Sequence, residues 1–194
     1  MKTTIKTAAA ALSFMIIFSC TKQNADNPAL SVKSSSSNDL ATFKIGQHYG
    51  GGIIFYIDGT GMHGLIAAES DDTMGQIRWG HGANIIIGAT GVKIGTGLAN
   101  TNKIVQLLGL SGVYAALVCY NYANAGFFDW YLPSKAELNQ LYKKRNVVGG
   151  FSATNYWSSS ETSKGTAWDQ EFGGGFQFKD SKSFTYRVRA IRSF

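Results

Sequence analysis

Apolar and polar positions fall into blocks whose period changes along the chain. Residues 8–18 are an almost unbroken apolar run. At eleven residues it is shorter than the roughly 20 a membrane-crossing helix needs. Residues 21–42 are polar, contain Ser34-Ser35-Ser36-Ser37 and have no apolar period, the pattern of a flexible tether. About twenty such residues reach roughly 25 Å. The folded part is expected from Phe43 onward. There Gly50-Gly51-Gly52 leads into the β-rich run Ile53-Ile54-Phe55-Tyr56-Ile57, and Asp58-Gly59-Thr60-Gly61 turns the chain toward Gly64-Leu65-Ile66-Ala67-Ala68. This predicts a hairpin of mostly buried strands. Residues 71–97 are glycine-rich with isolated Trp79 and His81, which predicts a long loop or short irregular strands.

Helical periodicity follows. Asn100-Thr101 can cap a helix carrying Ile104, Leu107 and Leu108 on one face, broken at 109–112 and resuming over 114–122. After Pro133, Ser134 and Glu137 form a capping box, and Leu138, Leu141 and Tyr142 make one apolar stripe that ends before Gly149-Gly150. Short strand-like segments then occupy 156–161, 167–172, 176–179 and 186–192, separated by turns at Lys164-Gly165 and Gly173-Gly174-Gly175. Strands, two helices and then antiparallel strands, joined by long glycine-rich loops, make an α+β class. The expected division is a signal peptide over 1–19, a lipidated cysteine and tether over 20–42, and one domain over 43–194.

Charge and cysteines sharpen the N-terminus. Lys2 and Lys6 precede the apolar run and small Ser19 precedes Cys20, the three parts of an export signal. Ile17-Phe18-Ser19-Cys20 resembles a lipobox, with Phe18 an unusual residue in it; the alternative is an ordinary secretory signal. Lipidation of Cys20 would give an acylated (palmitate-bearing) lipoprotein held at the cell envelope, at the outer membrane or cell surface, by lipid alone, since each buried methylene adds about 0.8 kcal/mol. Cys119 would then be the one remaining thiol, which excludes an intramolecular disulfide and a cysteine-built zinc site. Lying in Ala115-Ala116-Leu117-Val118-Cys119, it reads as a small buried hydrophobe. The formal charge of +6 falls to +4 once Lys2 and Lys6 leave with the signal. Such a mild excess does not point to nucleic acid. Glycine is abundant (23) and proline scarce (2), as in a fold of short strands and tight turns. The triple glycine precedes a strand and no Lys-Ser/Thr follows it, so it is not a phosphate loop.

At Trp130-Tyr131-Leu132-Pro133-Ser134-Lys135-Ala136-Glu137-Leu138, then Tyr156-Trp157-Ser158-Ser159-Ser160, Ala167-Trp168, Phe172 and Val188-Arg189-Ala190-Ile191-Arg192, the chain resembles the C-terminal domain of Legionella collagen-like adhesins, over residues 46–194. More remotely, its Leu-Pro-Ser-x-x-Glu-Leu box is similar to that of the sulfatase-modifying, formylglycine-generating fold, a variant of the C-type lectin fold. The resemblance implies a C-type-lectin-like domain with both ends in one sheet, pairing residues 53–57 with 188–192, and ligands met by the strands and loops of 156–178. It also implies adhesion and glycosaminoglycan-type ligands. The catalytic residues of the enzyme branch do not carry over. Formylglycine formation needs two cysteines on copper, and the related iron enzymes need a histidine cluster that His48, His63 and His81 do not form in sequence. The expectation is a non-enzymatic module without cofactor or metal that binds a glycan or a protein in adhesion. A divergent enzyme of that fold and a retroelement-diversified display protein are the alternatives.

Strand alternation sorts the C-terminal half. Trp168, Gln170 and Phe172 share one face, and Asp169 and Glu171 the other; Trp157 lies with Ser159 and Glu161, opposite Ser158 and Ser160. Trp157, Trp168 and Phe172 are expected in the core. The polar groups between them are the ligand candidates: Ser158, Ser160, Asp169, Gln170, Glu171, Gln177, Lys179, Arg187 and Arg189. The cations Lys164, Lys179, Lys182, Arg187, Arg189 and Arg192, set against Asp169, Glu171 and Asp180, suit a sulfated polysaccharide. No Glu-Pro-Asn or Gln-Pro-Asp triplet occurs, so no lectin-type calcium site is expected, and no G-x-S-x-G elbow supports a hydrolase.

Overall fold

The computed structural model describes residues 42–81 and 84–194. The expected signal, Cys20 and tether therefore lie outside the described residues, apart from Thr42. The predicted hairpin forms as β2 (Gly52–Ile57) and β3 (Gly64–Ala67), with Ile53 opposite Ala67 and Ile57 opposite Gly64. Two-residue β1 (His48–Tyr49) pairs with β2 on one side, and β9 (Ile191–Ser193) pairs antiparallel with β3 on the other. Both ends of the domain thus share one sheet, ordered β1-β2-β3-β9. The partner of β9 is β3, however, and not the 53–57 strand expected from the resemblance. The hairpin places β3 between them, and Leu65, Ile66 and Ala67 take Ser193, Arg192 and Ile191 as partners.

Among its described residues the loop predicted over 71–97 holds one short strand, β4 (Ile77–Arg78), paired with β8 (Thr185–Tyr186). Helix α1 spans Gly97–Leu108, so it starts four residues before the position Asn100-Thr101 would cap. Those two side chains face inward instead. Asn100 bonds Gly91 and Ser159, and Thr101 bonds the Leu132 backbone. The buried face carries Ile104 and Val105, while Leu107 is exposed. After the break comes α2 (Ala115–Tyr120), then α3 (Lys135–Lys143) with the capping box formed as predicted, and the short α4 (Arg145–Val148) before Gly149.

The last sheet is β5 (Asn155–Glu161), β6 (Thr166–Glu171) and β7 (Gln177–Ser181) in that order. At the β6–β7 turn Gly175 adopts φ 86°, and a Cβ there would collide with the Tyr142 ring, so glycine is required on both counts. The strand expected over 186–192 is divided. Tyr186 pairs with β4, Arg187 bridges to Tyr156 beside β5, and Ile191 joins the first sheet. The molecule is therefore α+β, with helices packed on small antiparallel sheets.

Two apolar clusters hold these parts together. One gathers Ile54, Ile66, Trp79, Ile104, Trp130 and Trp157; the other gathers Phe55, Leu65, Leu138, Leu141, Tyr156 and Phe172. The three buried indoles each contribute about 5 kcal/mol of transfer free energy as an upper figure. Each also donates its N–H to a carbonyl: Trp79 to Ser158, Trp130 to Phe127 and Trp157 to Ile77.

Candidate functional site

The start of α3 is the construction point. Ser134 accepts from the Glu137 amide at 3.4 Å, and the Glu137 carboxylate accepts from the Ser134 amide at 2.7 Å. The other Glu137 oxygen takes the Gly95 amide at 2.8 Å, just before α1. A Cβ at Gly97 would collide with the Glu137 carboxylate. One buried acid thus ties the starts of two helices together, which capping alone would not reveal. Burial pushes its carboxyl above the usual range, against the opposing pull of the amide donors. Lys135, the next residue, has both backbone groups fastened. Its amide donates to Ser160 Oγ at 2.9 Å in β5, and its carbonyl accepts from Gln177 Nε2 at 3.1 Å in β7.

That anchoring places the Lys135 ammonium 3.4 Å from the centre of the Trp168 ring on β6. Lys179, directly opposite Trp168 on β7, brings a second ammonium to 5.1 Å from the same ring. Two residues along, Gln170 faces Gln177; the Gln170 amide donates to Asn139 and to the Gly175 carbonyl, and the Gln177 amide donates to Gln170. The result is a half-buried indole with two cations over it and a fixed row of amides beside it. Neither lysine takes part in any ion pair among the described residues. Burial, and then the Lys179 charge, lower the Lys135 ammonium below its usual range. Two like charges sharing one ring without a counter-charge form an anion-attracting surface.

Of the residues singled out in the sequence, this platform unites Gln170, Gln177 and Lys179. The others lie elsewhere. Ser158 and Ser160 are buried; their hydroxyls donate to the Trp168 and Gly91 carbonyls and stitch β5 to its neighbours. Asp169 is fully buried on the opposite face, across from Trp157, with its Oδ2 accepting from Asn155 at 2.6 Å and its Oδ1 unpartnered. Glu171 caps the β6–β7 turn through the Gly173 and Gly174 amides. Arg189 is buried against Asp71 at 2.7 Å and against the Ala68, Gly149 and Gly150 carbonyls. Arg187 shares the same aspartate at 3.2 Å.

The expected basic face is likewise mostly internal. Lys182 is buried on Glu161 at 2.6 Å, and Arg192 grips Asp129 with two bonds of 2.7 and 2.9 Å. Those charges are spent inside the fold and leave Lys164 and Lys179 outside. Trp168 is a correction in the other direction, because it is half-exposed while Trp157 and Phe172 are core. Lys135 and Asn139 were not singled out. The capping box puts Lys135 at the first turn of α3, but no local signal tells that this turn docks on β6. Cys119 is buried, and burial pushes its thiol well above the usual range. Among the described residues no group of three His, Cys, Asp or Glu side chains is arranged to hold a metal ion, and no helix is long and apolar enough to cross a membrane.

Residues 70–192 match the sequence model of the Lcl C-terminal domain, and the whole Lys135–Trp168–Lys179 platform falls inside the match. No curated protein matches the chain. Among solved structures the chain is similar to a fimbrial protein from Bacteroides ovatus ATCC 8483, at 14% identity and a TM-score of 0.48, covering 73% of this chain and 43% of that one. It spans less than half of that protein's length, and the likeness is too slight to bear on function.

Proposed function

Because the chain belongs to the Lcl C-terminal domain family, we propose that it is a non-enzymatic, adhesion-type surface module that binds an anionic glycan at the Lys135–Trp168–Lys179 platform. The observation that supports this reading is the pair of ammonium groups on one indole with no carboxylate partner among the described residues. A sulfate or uronate would relieve their mutual repulsion, and the Trp168 edge and the Gln177 amide would meet the sugar ring. The C-type-lectin-like class is supported by both domain ends lying in one sheet. Export and anchoring through Cys20 would set the module at the outer membrane or cell surface, and rest on the N-terminal residues alone.

The test is retention of the purified protein on a sulfated-polysaccharide resin at about 0.15 M salt. Two exposed charge contacts of about 0.5–1 kcal/mol each predict an affinity loss of about tenfold for the Lys135→Gln/Lys179→Gln double variant. Arg187→Gln, at the far edge of β5 from Lys179 and paired with Asp71, should be retained like the unmodified protein. An unmodified protein that is not retained, or a double variant that is retained as well as the unmodified protein, overturns the reading.

A further inference from the structure

A second recess lies on the first sheet, built from elements the glycan platform does not use. The β2–β3 hairpin supplies Tyr56, Asp58, His63 and Leu65, and the segment leading into α1 supplies Ile94 and Leu98 across from them; Tyr131 and Phe194 complete a cleft of about 270 Å³. Its placement follows from register. Leu65 lies opposite both Tyr56 on β2 and Ser193 on β9, and the Phe194 ring lies over Gly64, where a Cβ would collide with it at 2.7 Å. Only glycine at 64 leaves the ring that seat.

The chemistry of the lining is one-sided. Tyr56, Tyr131, Leu65, Ile94, Leu98 and Phe194 present rings and aliphatic groups, and Ile94 and Leu98 keep 37% and 40% of their surface open to solvent. Asp58 is the one acidic side chain of the lining, and no lysine or arginine side chain lines it. Its carboxylate is fixed in place, because Thr60 donates to Oδ1 from its hydroxyl at 2.6 Å and from its amide at 3.0 Å. The His63 backbone also donates to this carboxylate, so the group is held at the mouth of the cleft as an acceptor of preset position. Aromatic faces beside a fixed carboxylate complement a positive charge on an apolar body. An anion would meet no lysine or arginine there, and a divalent metal would find a single carboxylate.

We propose that this cleft is a binding site for an organic ammonium ion, a compact apolar or aromatic body with a cationic head set against Asp58. At about 30 Å³ for each water displaced, the cleft holds a body of about nine non-hydrogen atoms, the size of phenethylammonium. A free amine and a lysine side chain present the same chemistry. Tyr56, Asp58, His63 and Leu65 precede the stretch that matches the family, whereas Ile94, Leu98 and Tyr131 lie within it, so the acidic wall comes from the hairpin and the facing apolar wall from the matched stretch.

The purified protein is titrated with phenethylammonium, uncharged 2-phenylethanol and anionic 3-phenylpropionate, with binding read by ligand-observed NMR. Saturable binding of the ammonium is expected at about millimolar Kd, with the alcohol weaker and the acid weakest. Asp58→Asn keeps the turn's acceptor for Thr60 and should weaken the ammonium about tenfold, the worth of one charge contact, while leaving the alcohol unchanged. Leu98→Ala should weaken both. N-acetyl-lysine methylamide bound with the same dependence on Asp58 assigns a peptide lysine as the source; its failure beside bound phenethylammonium assigns a free amine. The proposal falls if no ligand saturates, if the acid binds as well as the ammonium, or if folded Asp58→Asn binds as the unmodified protein does. Lys135→Gln/Lys179→Gln leaves this cleft intact, so loss of glycan retention and loss of ammonium binding are separable.

Discussion

Asp169 offers the sharpest physical test, because it is a fully buried carboxyl with one satisfied oxygen. Oδ2 takes the Asn155 amide at 2.6 Å, and Oδ1 has no partner. Burial, reinforced by the nearby Asp180 charge, pushes its pKa up to about 6, against about 3.9 in an unfolded chain. The folded state therefore holds the proton more tightly than the unfolded state does. The stability this confers is fully present below about pH 4 and is lost as the pH rises through about 6, and a shift of two pH units corresponds to about 3 kcal/mol. Asp169→Asn keeps the shape and an acceptor for Asn155 while removing the charge. At pH 7.5 it should stabilise the protein by about 1–3 kcal/mol, and near pH 4 the two proteins should be equal within about 0.5 kcal/mol. The assay is urea unfolding of both proteins at steps from pH 4 to 8, followed by tryptophan fluorescence. The difference between them isolates this residue, because Asp58, Asp129 and Glu161, whose carboxyls are lowered in the fold, contribute equally to both curves with the opposite slope. A difference that is flat across the range, or that makes Asp169→Asn less stable at pH 7.5, would refute the argument that Asp169 is an uncompensated buried acid.

Glu137→Ala removes an acceptor that serves both the α3 cap and Gly95. It should cost about 2–4 kcal/mol, read as a fall in the urea midpoint without loss of the slope. Lys182→Met strands the buried Glu161 carboxylate, which Lys182 and the Ile87 and Gly88 amides otherwise satisfy; a loss of about 3–5 kcal/mol is expected, and Lys182→Met/Glu161→Leu should recover most of it. Cys119 should resist a thiol reagent in native buffer and react fully in denaturant, since it is buried and its thiolate is disfavoured. Rapid native labelling would show that α2 opens.

What the chain disclosed in advance follows a physical division. The β2–β3 hairpin and the α3 capping box rest on interactions between residues a few positions apart, and both form where the pattern put them. Asn100-Thr101 looks like a helix cap by the same local rules, yet these side chains serve contacts with Gly91, Ser159 and Leu132 that are remote in sequence or bury them inside the helix. Alternation failed along β5 for the same reason. Ser158, Ser159 and Ser160 are all buried because β5, unlike β7, is covered on both faces, and a period of two assumes one wet face. The basic residues divide in the same way. Each arginine or lysine looks equally available in sequence, and only the fold reveals that Asp71, Asp129 and Glu161 reach Arg189, Arg192 and Lys182 across gaps of 118, 63 and 21 residues. Of the six cations singled out in the C-terminal half, Lys182, Arg187, Arg189 and Arg192 are paired in this way, and Lys179, left outside, stands with Lys135 over one ring. The site was hidden because charge is counted along a chain but cancelled in space: pairing withdraws most of the C-terminal cations and leaves Lys179, and only the docking of α3 on the last sheet brings Lys135 beside it.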